Sequence, residues 1–501
     1  MDADVCWMRV SSRLGRRDGM GKRGWHELLG EGRDAGAKID KAWLKAPSAF
    51  HYVHYNRFNP FRIGAGLAGN RSDRKVCEWE WRVICNLFMH IFVMSPSTVV
   101  PSSPSRAVSR LQTLVLALCL ALAPAIAIGF GRFAYALVLP AMKTDLGWSF
   151  SQAGSMGTAN ALGYLIGALA TGPLLRFVGP RPLMLIGLGL SVVALWGAAS
   201  TSAFTALLFF RGLVGFSAAP TFICATGLAA RLGSNAEENA LAMGLTICGP
   251  GIGTILTGTL VPLLLEGEAS RWPRAWGAMG LLGVLAFAVV IIASRGMSGG
   301  GTATNESEHV EEKAKARGGL GFAYFSYFLF GLGYIAYMTF LVAFVRGLNA
   351  SSGTVSLVWT CLGVAMLASS FAWKGQLAKN RGGFAMMLMG VGGAVCALLP
   401  LISGTLPALL ISAIGFGATT MPVVTAITVL VRRHLPAARW NGSIAAVTAV
   451  FAVGQSLGPL AAGQLSDHFG ASASLWWSAG VLGLAAIAAL GQKPYKDAAQ
   501  G

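Results

Sequence analysis

GFGRFAY at residues 129–135 and GLGYIAY at residues 331–337 are one apolar heptapeptide written twice, 202 positions apart. The copies share two glycines, an alanine and a tyrosine. Each sits inside an apolar run, 112–140 and 320–346, long enough to cross ~30 Å of hydrocarbon as a helix rising ~1.5 Å per residue. Other pairs repeat in the same order. Gly215-Phe216 with Pro220 is echoed by Gly415-Phe416 with Pro422, and Gly249-Pro250 by Gly458-Pro459. Offsets near 200 that preserve their order point to a duplicated unit.

Outward from these repeats, the chain from residue 111 is a series of such runs: 112–140, 151–175, 181–200, 203–229, 240–265 and 273–294, then 320–346, 353–373, 383–402, 405–430, 442–465 and 471–490. The pattern predicts an all-α integral membrane protein with twelve transmembrane helices in two pseudo-symmetric six-helix halves, 111–294 and 320–490. A leader (94–110), a polar central loop (295–319) and a tail (491–501) are expected in the cytoplasm. Seventeen Lys and Arg between the runs fall on the side of the amino terminus and only four, Lys143, Arg271, Arg274 and Arg346, on the other. That bias predicts a multi-pass protein of the cytoplasmic, or inner, membrane with both termini inside.

Composition agrees. Of 501 residues 54% are hydrophobic and 12% charged, against about a quarter charged in soluble domains, which excludes a soluble multidomain enzyme. Residues 1–93 differ, holding 16 of the 39 Lys and Arg and 10 of the 21 Asp and Glu. Their longest apolar run, 83–94, is too short to span a bilayer. We read 1–93 as a non-native or disordered amino-terminal extension, with Met94 as the functional start; a genuine cytoplasmic extension is the alternative. The net charge of +18 lies largely in clusters between apolar runs, as in membrane proteins oriented by their loops, and predicts no nucleic-acid partner. Cys119, Cys224, Cys248, Cys361 and Cys396 stand singly in apolar runs and read as packing residues, with no metal site.

Two six-helix halves joined by a charged loop, with GPLLRFVGPRP at 172–182, resemble the major facilitator superfamily. Its signature loop has the form G-x-L-x-D-R-x-G-R. Gly172, Leu174 and Gly179 match, whereas Arg176 stands in place of the aspartate; the second-half loop keeps Gly375 and Leu377 but has Lys379 there. The gating ion pair that this loop is thought to make is therefore not expected. Arg211-x-x-x-Gly215 is similar to the family's second motif, and Gly249-Pro250-x-x-Gly253 to the Gly-Pro motif associated with antiporters and exporters. The stretches at 129–142, 146–154 and 158–169 resemble the YbfB/YjiJ branch. The resemblance implies the major facilitator fold and alternating access, with the first, fourth, seventh and tenth helices lining a central site.

Charges inside the runs are functional candidates, because one at the bilayer centre costs ~2.5–3.5 kcal/mol even on insertion scales. Away from the ends of the runs there are two, Arg132 and Arg211, each eight residues from the same expected membrane edge. No Asp, Glu or His lies within the runs as bounded here. Either arginine could hold an anionic group of a solute, or could be structural, satisfied by backbone carbonyls. Tyr135, three residues after Arg132, and Tyr334 and Tyr337 in the repeat would complete the site, with Asn160, Tyr164, Trp359 and Gln455 as weaker candidates. The structural alternative is aromatic filling between glycine-rich helices. Gly249, Pro250, Gly458 and Pro459 are conformational-hinge candidates, since proline deletes a helix hydrogen bond and glycine admits close helix approach.

No nucleotide-binding loop supports a pump, and no paired aspartates or Ser/His pair supports a membrane enzyme. The reading is a monomeric secondary transporter without cofactor, whose partners are a small solute, with an organic anion favoured, the bilayer and an undetermined coupling ion. An exporter or antiporter of neutral or amphipathic compounds is one alternative; a non-transporting sensor or scaffold is another.

Overall fold

A computed structural model describes residues 109–265, 268–297, 319–379, 382–436 and 439–494. The extension at 1–93 with its proposed start at Met94, nearly all of the leader, most of the central loop and the end of the tail lie outside the described residues. Among the described residues twelve helices are long and apolar enough to cross a membrane: Arg110–Asp145, Phe150–Val178, Pro180–Ala199, Phe204–Ala229, Ala236–Leu264, Ala269–Ala293, Gly321–Gly347, Ser352–Ser369, Phe384–Ile402, Leu406–His434, Gly442–Phe469 and Ser472–Leu490. They are called spans 1 to 12 below. Ser-x-x-Gln capping boxes, Ser109 with Gln112 and Ser149 with Gln152, start spans 1 and 2 by satisfying amide groups that a new helix leaves open. Span 2 stops at Gly179, whose φ of +79° and ψ of 164° suit glycine alone, and Pro180 opens span 3.

Spans 1–6 pack among themselves, as spans 2 with 4, 3 with 4, 3 with 6 and 1 with 5. Spans 7–12 repeat the scheme as 8 with 10, 9 with 10, 9 with 12 and 7 with 11. Contacts between the groups run through spans 2 with 11, 5 with 8, and the later part of span 1 with span 7. Small residues bring helix backbones together, as in membrane bundles generally. At the seam of spans 2 and 4, a Cβ on Gly163, Gly167 or Gly215 would collide with the carbonyl oxygen of Gly212, Phe216 or Asn160 respectively.

The structure corrects the sequence reading at three points. Span 11 continues to Phe469, so Asp467 lies in its last turn; Asp145, Glu237 and Glu238 likewise fall within helical ends. The runs were ended where apolar residues stop, but the last helical turn at a membrane surface is polar. Second, span 1 is not a uniform α-helix: residues Ala125–Phe133 form a π-helix between Arg110–Pro124 and Tyr135–Asp145. Third, the two Gly-Pro pairs differ. Span 5 is interrupted at Cys248, immediately before Gly249-Pro250, whereas Gly458-Pro459 lies inside an unbroken helix.

Candidate functional site

The π-helix places Arg132 at its carboxy-terminal end, one residue before Phe133 closes the segment. Such segments replace i→i−4 bonding by i→i−5 and disturb the regular sequence of carbonyl acceptors; Ala134 N–H bonds to Gly129 O at 2.9 Å in this manner. From here the half-buried Arg132 crosses between the groups. Its Nη2 donates to Oε1 of Gln455 on span 11 at 2.7 Å, and the Gln455 Nε2 donates to the Tyr334 hydroxyl oxygen on span 7 at 2.5 Å. The guanidinium lies 5.5 Å from the ring centroid of Tyr164 on span 2. Four spans, 1, 2, 7 and 11, thus meet in one polar cluster.

Aromatic rings fix one side of it. Tyr327, Phe451 and Tyr334 form a stacked column, with centroids 4.3 Å apart for Tyr327 and Phe451 and 5.6 Å for Tyr334 and Phe451. Phe330 stacks on Tyr334 at 5.8 Å. Gln455 and Tyr334 are almost completely buried. Among the described residues, Arg132 has only this neutral hydrogen-bond acceptor and no carboxylate partner.

Arg211, its apparent equivalent in sequence, is placed differently. It is buried within the amino-terminal group, where Nη1 donates to the Gly131 carbonyl at 2.5 Å. The guanidinium packs 4.5 Å from the Tyr135 ring and 5.7 Å from Trp276. Asn160 Nδ2 donates to the Arg211 carbonyl at 3.2 Å. A carbonyl within the π segment and two aromatic faces give this cation its environment. The Arg211 side chain thus reaches the residue preceding Arg132.

Tyr135 and Tyr337 do not join Arg132. The Tyr135 hydroxyl donates to the Ala153 carbonyl at 2.8 Å, and its ring lies beneath Arg211. Tyr337 stacks on Phe416 at 3.7 Å and meets the Ser412 hydroxyl at 2.7 Å. Residues three apart on a helix differ by about 60° in direction; Tyr334 leans onto span 11 and Tyr337 onto span 10. Hence the cluster draws on spans 1, 2, 7 and 11, whereas the expected lining was 1, 4, 7 and 10. Trp359 is fully buried at the seam of spans 5 and 8, beside Gly258.

The hinge candidates lie in close-packed seams. A Cβ on Gly253 would come within 2.8 Å of the Gly129 Cα, and Gly249 abuts Ala121 and Pro124, so the Gly-Pro motif of span 5 packs against span 1. Gly458 abuts Leu332 of span 7 in the corresponding way, while Pro459 faces Gly154 and Gly157 of span 2 across the groups. Of the signature-loop residues, Gly172 and Gly375 are exposed with open space around them, Leu174 is half-buried and Leu377 buried. Sequence reading missed Phe451, Phe330 and Asp467. Phe451 could have been found from its spacing, four residues before Gln455 on one helix face.

Comparison with known proteins follows this geometry. The family model described as "Uncharacterised MFS-type transporter YbfB" matches residues 124–490. Solved structures with similar folds include the nucleoside transporter NupG as a D323A mutant, with a TM-score of 0.60 and 13% identity over 75% of this chain and 99% of that one. A bacterial homolog of the human lysosomal transporter Spinster, in an inward-facing and unoccupied conformation, gives 0.59 and 14% over 76% and 98%. High affinity nitrate transporter 2.7 of Arabidopsis thaliana is 28% identical over 146 residues, 29% of the length of each chain. Twelve spans, the packing of two six-span groups and a family match across both of them lead to one assignment: the chain belongs to the YbfB family of major facilitator transporters and is a multi-pass membrane carrier, not an enzyme.

Proposed function

We propose that the solute of this secondary transporter is an anion, with a small organic anion favoured, and that its charged group binds Arg132 with Tyr334, Tyr164 and Gln455 around it. The observation that carries this reading is a half-buried guanidinium between the groups whose hydrogen-bond acceptor is a neutral amide. A cation in such surroundings attracts negative charge, and its planar donor fork suits carboxylate, phosphate or nitrate. The nitrate transporter named above supports an anion, although its match is partial. Arg211, Asn160 and Tyr135 are assigned a supporting role, holding the π segment that carries Arg132.

The test is uptake and efflux of a panel of labelled organic and inorganic anions by proteoliposomes, repeated with Gln455→Glu and Gln455→Leu. A carboxylate at 455 would pair with Arg132 and displace the solute, so Gln455→Glu should weaken anion transport by about 10-fold or more. Gln455→Leu, which adds no charge, should be milder. Full anion transport by Gln455→Glu would end this reading; movement of neutral or amphipathic compounds only would favour the exporter alternative, and no flux of any solute the sensor.

Orientation belongs to the same proposal. With both termini in the cytoplasm, cysteines introduced at Lys143 and Arg346 should react with an impermeant external reagent, and cysteines at 300–315 and Arg432 should not. External labelling at 300–315 would reverse the topology.

A further inference from the structure

We infer that Asp467 is a gate residue of the transport cycle: its carboxylate, from the carboxy-terminal group, latches the amino-terminal group shut by completing the helix cap of span 2. The inference uses only the carrier fold and is independent of the anion reading. Span 2 begins with four backbone N–H groups that have no partner in the preceding turn. The amides of Ser149 and Gln152 are satisfied locally by the capping box, through Gln152 Oε1 at 2.9 Å and Ser149 Oγ at 3.1 Å. The other two are satisfied from across the molecule. Phe150 N–H donates to Asp467 Oδ1 at 2.6 Å and Ser151 N–H to Asp467 Oδ2 at 2.9 Å, and the Ser151 hydroxyl donates to Oδ2 as well.

The latch has the right electrostatics and the right surroundings. A carboxylate at a helix amino terminus meets the positive end of the helix dipole, and charge-assisted bonds are about twice as strong as neutral ones. Around it the two spans are in backbone contact: a Cβ on Gly463 would collide with the Phe150 backbone, and one on Gly154 with Pro459. Thr158 Oγ1 adds a bond to the Ser456 carbonyl at 2.6 Å. At the opposite end of the same two helices, Gly172 and Gly442 are exposed, with nothing within 4 Å of an added Cβ. Along this seam these close contacts lie toward the Asp467 end, and alternating access requires that the bonds break. When they do, Phe150 and Ser151 must turn to water.

Hydrogen–deuterium exchange of the full chain in lipid nanodiscs tests this, comparing wild type with Asp467→Asn, which keeps the shape but offers one acceptor oxygen in place of two, and with Asp467→Ala. The expected result has two parts. The Phe150 and Ser151 amides exchange about 10-fold faster or more, and peptides at the other ends of spans 2 and 11 become more protected as the carrier shifts to its alternative state. Unchanged exchange at 150–151 overturns the latch. Faster exchange there with no change at the far ends reduces Asp467 to a local cap and overturns the gate. Asp467→Asn serves as the decisive variant if the alanine form is poorly folded.

Discussion

Arg132→Ala should weaken binding of the transported anion by at least ~30-fold while leaving the detergent-extracted yield of monodisperse protein close to wild type. Loss of one member of a buried, charge-assisted contact ordinarily amounts to about 2–5 kcal/mol, and ~2 kcal/mol is already a factor of ~30. Folding should survive because Arg132 is only half-buried at the junction of the groups and Gln455 keeps its bond to Tyr334. Arg132→Lys should recover little, since an ammonium cannot offer the planar fork. Arg211→Ala should behave in the opposite way. It strips the Gly131 carbonyl of its donor and leaves Tyr135 and Trp276 without their cation, so folded yield falls. Equilibrium binding of the anion selected by the uptake panel, measured beside size-exclusion yield, separates the two. Undiminished affinity in well-folded Arg132→Ala removes that residue from the site.

Gly215→Ala, the addition of one methyl group, should destabilise the protein by about 1–3 kcal/mol or more. The new carbon would land on the Asn160 carbonyl oxygen of span 2. A flexible side chain could swing aside from such a contact; a helix backbone can yield only if spans 2 and 4 separate. Separation would break the Asn160 bond to the Arg211 carbonyl and loosen the seats of Gly163 and Gly167, whose neighbours are also backbone. Gly227→Ala in the same helix is the control, because nothing lies within 4 Å of its added carbon, and alanine favours helix over glycine. Thermal unfolding of the solubilised variants should show a clear loss for the first and none for the second. Equal stability of the two would mean that the seam is looser than its geometry.

The helices were legible because apolar length is nearly the whole requirement for crossing a bilayer, and the glycine and proline repeats marked where helices touch. The cluster was legible in part. Arg132, Tyr334 and Gln455 stood out as polar groups in apolar runs, and the structure brings these three together. What could not be read was which arginine faces the junction. Arg132 and Arg211 have the same chemistry and the same spacing from the end of an apolar run; the difference arises at the π segment, where a carbonyl accepts from a donor 80 residues further along the chain. Asp467 was hidden for another reason. Hydropathy ends a helix at its last apolar residue, whereas the last turn of span 11 continues in polar residues that meet span 2.

The stacked column beside Gln455 bears on how tightly any solute can be held. A phenol free to rotate must be immobilised when a ligand arrives, and each such ordering subtracts about 0.5–1.5 kcal/mol from affinity. Tyr334 stacks on both Phe330 and Phe451 and its hydroxyl accepts from Gln455, so its direction is set when spans 7 and 11 pack, before any solute enters. Its contribution to recognition is accordingly preorganised, and the entropic loss on binding falls on the less buried side of the cluster, at Arg132 and Tyr164.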